Sequence, residues 1–369
     1  MKIDLDTIDR ESFMVHGHLL NGETVYLIQP IHIGATWTRE NLHQRSVVIN
    51  AEGEIISASF KKFHNWDEKP ELDPIPTSLK GAQLMEKLDG STLIFSRYKG
   101  KTIIRTRGTV DASTQPLNGH EIDVLKQKYA KFVTFLEATP TCPTSYLFEW
   151  TSPLNRIVIN YGDEVEMTLI GAIDHRNYSY YSQEALDLIA NMFAFKRPRL
   201  FSYDSIDEMK SAVEAFKGVE GLCVYYNDGQ SIRKVKGAEY LFLHRAKSDV
   251  SSIEKMIDLY FSASETVGHN LTYTEFFDYL TKAFDYEIAT MARGHASNIA
   301  DGMKEVAAII SGMTAFVVPV RSLPRKDAAA KILQAYGQTN RASFVFQLYD
   351  GKTLGTDALK KLLYQVLKA

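Results

Sequence analysis

Cysteine is scarce in this chain of 369 residues: Cys142 and Cys223 are its only two, and neither lies in a C-x-x-C. They cannot build a disulfide framework, so a reducing, intracellular setting is the expectation. No apolar run reaches about 18 residues, and none is expected to span a membrane. The start, Met1 to Asp6, is charged and lacks the apolar core of a signal peptide. An excess of one charge is missing too. The net charge is −3, so no nucleic-acid partner is signalled globally, and any phosphate binding must come from local basic clusters. No internal repeat or low-complexity segment occurs. His16 and His18 share a face of an expected strand, but no Cys, Asp or Glu spacing completes a zinc set. Gly100-Lys101-Thr102 ends like a P-loop, yet Phe95 stands where the first glycine is required.

What is present is an ordinary globular composition, 45% hydrophobic and 24% charged. The length suggests two domains. The pattern is α+β. Residues 1–245 read as a body of antiparallel sheets with helices, including a β-rich N-terminal part over about 1–80. Residues 246–369 read as mostly helical. Expected strands include 46–50, 55–60, 83–87, 92–98, 102–106, 146–150, 156–161, 167–173, 222–226 and 231–235. Expected helices include 121–137, 183–193, 205–216, 252–261, 274–291, 296–310, 326–336 and 356–367, with a short strand at 344–348. The apolar stripe Phe276, Phe277, Leu280, Phe284, Ile288 reads as core.

The stretch with chemistry in it is Glu86-Lys87-Leu88-Asp89-Gly90-Ser91. A strand delivers a lysine to an Asp-Gly corner and a second strand leaves it, as in a hairpin. A lysine held between apolar strands is desolvated or paired, and either shifts its pKa. As a nucleophile it must first lose a proton. At a pKa near 10.4 only about 0.04% is neutral at pH 7, a handicap of about 4–5 kcal/mol. Nearby cations would lower that cost.

Candidate partners exist, each with a plainer alternative. In Ser231-Ile232-Arg233-Lys234-Val235-Lys236, alternation puts Lys234 and Lys236 on one face; a solvated edge strand is the alternative. Glu149 is a lone carboxylate among aromatics, so it receives hydrogen bonds or simply reaches solvent. Glu220 could bind a hard cation or sit in a solvated turn. Arg105 and Arg107 read as sharing a face that clamps phosphate or decorates a strand. Lys196-Arg197-Pro198-Arg199 reads as a compact basic patch that touches an RNA backbone or, the plainer reading, as a solvated loop.

Taken in order, Lys87-Leu88-Asp89-Gly90, Arg107-Gly108, Phe148-Glu149-Trp150, Glu220-Gly221 and Lys234-Val235-Lys236 resemble the motif series of covalent nucleotidyltransferases. The closest resemblance is to the phage-type RNA ligase 1 family, over about residues 25–265. Thr151-Ser152-Pro153-Leu154-Asn155-Arg156-Ile157-Val158, Tyr240, Leu243-His244, Gln44-Arg45-Ser46 and Lys62-Phe63-x-Asn65 add to it. Position 107 departs from the family by being Arg rather than Lys, and strand 167–173 shows no aromatic to stack adenine.

The resemblance implies a ligase adenylylation domain followed by a helical domain that reads RNA. It implies an ATP-dependent, AMP-forming ligase that joins RNA 5′-phosphate and 3′-hydroxyl ends, in RNA or nicked-tRNA repair. Lys87 would form lysyl-AMP. Glu149 would hold the ribose. Arg45, Lys62 and Arg107 would hold ATP phosphates or RNA ends. Lys234 and Lys236 would contact the α-phosphate. Glu220 would orient the nucleotide or bind Mg2+ or Mn2+, with Glu265 as a second metal candidate. A monomer of phage origin acting in bacterial host cytoplasm is the accompanying expectation. The alternatives are a DNA ligase, a GTP-using capping enzyme, or an inactive nucleic-acid-binding relative.

Overall fold

The computed structural model describes residues 1–31, 34–116, 118–284 and 286–368. Two compact units divide it, Met1–Phe242 and Leu243–Ala369.

The first unit holds three antiparallel sheets. One is β1 (Phe13–Leu20), β2 (Glu23–Pro30), β3 (Val47–Ile49) and β4 (Ile55–Ala58), in chain order. The other strands are β5 (Gln83–Lys87), β6 (Ser91–Tyr98), β7 (Lys101–Arg105), β8 (Cys142–Thr151), β9 (Glu166–Asp174), β10 (Ser179–Tyr180), β11 (Leu200–Phe201), β12 (Gly221–Tyr226) and β13 (Ser231–Lys236). They form a five-stranded sheet, β10-β9-β8-β6-β7, and a four-stranded sheet, β11-β5-β12-β13. So β5 and β6 are not a hairpin: the Lys-Leu-Asp-Gly corner carries the chain from one sheet to another. The expected hairpin at 222–235 is present, its turn made by Asn227 and Asp228 at positive φ.

Helices α1 (Glu121–Lys128) and α2 (Ala130–Glu137) cover one face of the five-stranded sheet, with Phe132 packed on Phe95 and Phe148. The sequence reads as one helix there; Tyr129, at φ −114° and ψ 35°, breaks it in two. Next come α3 (Gln183–Phe193) and α4 (Ile206–Glu214), the latter capped by Ser205, whose hydroxyl accepts from Glu208 N–H. α5 (Ala238–Ser251) follows β13 directly.

The second unit is α6 (Ile253–Val267), α7 (Tyr273–Ala283), α8 (Tyr286–Met291), α9 (Arg293–Val320), α10 (Arg325–Tyr336), α11 (Ala342–Tyr349) and α12 (Thr356–Lys368). Phe276, Leu280 and Ile288 are buried in its core as expected. The expected helix 274–291 runs through Asp285, which lies outside the described residues. Residues 344–348 are helical in α11 rather than a strand. Phe344 and Val345 are buried by facing one side of a helix, and helical spacing serves five consecutive apolar-rich positions as well as a strand does. α9 is long and apolar enough, by length and composition, to cross a membrane. Here its Ala296, Ile299, Met303, Val306, Met313 and Val317 are buried in the core of this unit.

Candidate active site

Register places the lysines. Gly221 of β12 lies opposite Lys87 of β5 on one side and Lys236 of β13 on the other, so the three form a row across the sheet. Two residues along, Met85, Cys223 and Lys234 form a second row on the same face. Only glycine fits at 221: a Cβ there would lie 2.0 Å from the Val235 carbonyl oxygen. Glu220 precedes it and is buried. Its Oε2 is 2.8 Å from Lys87 Nζ and its Oε1 is 2.8 Å from Lys236 Nζ.

Protonation follows from these neighbours. Burial disfavours a charged Lys87, but Glu220 beside it outweighs that, and the Lys87 pKa rises above the usual lysine value. Lys87 is therefore an ammonium in this state. The sequence suggested cations holding it neutral; the correction is that its closest ionised partner is an anion. Lys234 instead carries the cationic environment. Burial, then Arg45, Lys236, Lys62 and Lys87, push its pKa down to about 8. Glu149 is buried in β8, and burial raises its carboxyl to about 7 while Lys87 opposes the rise. Its Oε1 accepts the Gly90 N–H at 3.0 Å.

Asp89 secures the corner. Its Oδ2 accepts from the N–H groups of Val158 (2.7 Å) and Ile159 (2.9 Å), and its Oδ1 from the Tyr240 hydroxyl (2.7 Å). Its own N–H donates to Tyr161 Oη at 2.8 Å. This is why 156–161 is not the expected strand: its amides bond a side chain instead of a neighbouring strand. Gly90 follows because a Cβ there would lie 2.4 Å from the Trp150 carbonyl oxygen.

A cleft of about 400 Å3 opens over these groups. Of the residues singled out from sequence, Arg45, Lys87, Arg107, Glu149, Lys234 and Lys236 line it. Glu220 sits behind Lys87 and Lys236. Lys62 is outside the lining, its Nζ 5.6 Å from the Trp37 ring centroid. Glu265 belongs to the helical unit, where it accepts from Thr356 Oγ1 at 3.3 Å. Among the described residues no group of three or more His, Cys, Asp or Glu could hold a metal, so the side chains do not form a ready-made cation site.

Phe63 gained no role from sequence, yet it lines the cleft beneath two cations. The Arg45 guanidinium is 4.7 Å from its ring centroid and Lys234 Nζ is 5.6 Å away. In the 196–199 segment Lys196 and Arg199 are exposed, as expected of a solvated loop, and Arg197 is the part-buried one. Lys196 pairs with Glu166 (2.8 Å), Arg197 with Asp187 (2.8 Å) and Arg199 with Glu86 (2.6 Å), and Arg197 reaches the cleft. Arg105 does not share an outward face with Arg107: it is fully buried. β7 ends at Arg105, so strand alternation does not carry through to position 107. The assembled cleft offers several cations to a multiply charged anion, and a buried carboxyl to hydroxyl donors.

A putative bifunctional polynucleotide kinase/RNA ligase of Autographa californica nuclear polyhedrosis virus is 22% identical over 231 residues, 58% of this chain and 32% of that protein. A putative RNA ligase of Thermovibrio ammonificans is 31% identical over 169 residues, 46% of this chain and 43% of that protein. The chain thus spans less than half the length of either. Among solved structures, an archaeal ATP-dependent RNA ligase aligns with TM-score 0.45 at 14% identity, covering 80% of this chain and 76% of that one. A mutant Naegleria gruberi RNA ligase with ATP and Mn aligns with TM-score 0.39 at 13% identity, covering 64% and 81%. The family model described as RNA ligase matches residues 43–250, more than half of the chain. The chain belongs to this phage-type RNA ligase family.

Proposed function

We propose that this chain is an ATP-dependent RNA ligase that joins 5′-phosphate and 3′-hydroxyl ends through lysyl-AMP at Lys87. The observation that carries the reading is the row Lys87–Gly221–Lys236, with Lys234 one row along, opening into the same cleft as Glu149, Arg45 and Arg107. Lys87 must first give up a proton, and Glu220 Oε2, at 2.8 Å, is the acceptor in place. The neutral Nζ attacks the α-phosphorus of ATP, a P–N bond forms, and the bond to pyrophosphate breaks. AMP then passes to the RNA 5′-phosphate, and the RNA 3′-hydroxyl displaces it. Lys234, Lys236, Arg45 and Arg107 offset charge that develops on phosphate oxygens. Glu149 takes the ribose hydroxyls. A divalent cation, Mg2+ or Mn2+, belongs to the proposed reaction as counter-charge on phosphate; no carboxylate cluster of the described residues holds it.

A resemblance to DNA ligases or capping enzymes would imply a β-barrel after the last motif; the helical unit, with no strand among its described residues, favours the RNA-ligase reading instead. Its proposed role is to select the RNA, a nicked tRNA being the structured substrate to try. The deciding experiment incubates purified protein with α-labelled ATP, then offers a 5′-phosphorylated oligonucleotide as RNA and as DNA. The reading requires an acid-labile adenylate, absent in Lys87→Ala, and circularised RNA. A wild-type protein that takes no label, or seals only DNA, refutes it.

A further inference from the structure

Arg105 is a buried cation that the reaction above does not use. Five neutral oxygens surround its guanidinium. Nε donates to Ser57 Oγ at 2.7 Å, and Nη1 to Ser46 Oγ at 2.7 Å and the Thr106 carbonyl at 3.0 Å. Nη2 donates to the carbonyls of Ser46 and Ser57, each at 3.3 Å. Ser46 Oγ in turn donates to the Arg107 carbonyl at 2.8 Å. On the far side, Ser57 Oγ continues through Ser96 and Ser145 hydroxyls, at 2.8 Å each, to His175 Nε2 at 2.7 Å. The guanidinium thus ties the end of β7 to the start of β3 and to β4, two sheets at once.

Two of the cleft's three arginines, Arg45 and Arg107, sit on the segments joined here. Arg45 is the residue before Ser46, and Arg107 is bonded through its carbonyl to the Ser46 hydroxyl. We propose that Arg105 is a positioning residue for polyphosphate: it sets the separation of Arg45 and Arg107, and so the grip of the cleft on phosphates beyond the first, without touching the nucleotide. Arginine is required because its planar fork reaches both serines together; a lysine has one point of contact. Burial lowers the Arg105 pKa to about 9, which still leaves it charged at neutral pH. The inference rests on the ATP reading.

The test compares wild-type protein, Arg105→Lys and Ser46→Ala by calorimetric binding of α,β-methylene-ATP and of AMP, with a thermal melt for each. α,β-Methylene-ATP carries a carbon in place of the α,β bridging oxygen, so the bond to the leaving group does not break and no adenylate forms. The expected result is an analogue Kd weakened about tenfold in both variants, with the AMP Kd changed less than about twofold. Should Arg105→Lys not fold, Ser46→Ala decides, since it removes the bridge between Arg105 and Arg107 and leaves the Ser57 contacts. Equal loss of both ligands means a merely structural role and overturns the inference, as does an unchanged analogue Kd in a folded variant. No nucleotide binding by wild-type protein overturns the ATP reading first, and the inference with it.

Discussion

Two cations in the first unit, the part-buried Lys87 and the buried Arg105, are stabilised in opposite ways. Lys87 shares one carboxylate with Lys236, and both lysines keep about a fifth of their side chains exposed, 22% and 23%. Arg105 is sealed completely, and among the described residues its hydrogen bonds go to carbonyl and hydroxyl oxygens. The first arrangement can change: a proton can cross from Nζ to carboxylate, and an incoming phosphate can compete for either lysine. The second cannot, because its partners are backbone and serine oxygens fixed by two sheets. An anion lies where charge has to move, and neutral acceptors lie where only geometry has to hold.

The strongest way to break this contrast is Lys87→Ala. It should abolish self-labelling by ATP while leaving the melt intact, measured by gel autoradiography beside calorimetry. Glu220→Gln comes next. It strips the shared anion from two part-buried ammonium groups, and the expected loss of stability is about 3 kcal/mol in urea unfolding. A change under about 0.5 kcal/mol would mean that the carboxylate contributes as little as an exposed pair does. Lys234→Ala should slow adenylate formation about a hundredfold in single-turnover assays without altering the Lys87–Glu220 contact. An unchanged rate would remove Lys234 from the reaction.

Glu149→Gln sharpens the comparison with a third titratable group, a buried carboxyl with no ion pair among the described residues. Its carboxyl titrates near 7 in the folded chain against an ordinary 4.5. Between those values the native state binds more protons than the unfolded one, so wild-type stability falls as pH rises through that window. The glutamine variant has no such term. It should unfold like wild type below about pH 4.5 and be more stable at pH 8, by on the order of 1–3 kcal/mol. A constant difference across the range would contradict the raised value.

Much of the site was legible because its residues carry charge where apolar strands surround them, as at Lys87, Glu149 and the 231–236 alternation. What stayed hidden depended on partners distant in sequence. The Ile157-Val158-Ile159 run reads as strand, but the carboxylate of Asp89 takes two of its amides. An Asp-Gly corner reads as a hairpin, and nothing local reveals that its strands belong to different sheets. Phe63 stood in the sequence only as part of the Lys62-Phe63-x-Asn65 match, and nothing local brings Arg45 and Lys234 over its ring. The fate of Arg105 turned on where β7 stops, a boundary that alternation does not mark.

The Asp89–Tyr240 bond bears on how the protein can be cut. Every nucleotidyltransferase-like motif ends by Lys236, so a fragment closing there looks sufficient on paper. It would also discard the hydroxyl that meets Asp89 Oδ1 at 2.7 Å, two residues from the nucleophile. A fragment ending at Phe242 keeps that tether and closes where the first compact unit does.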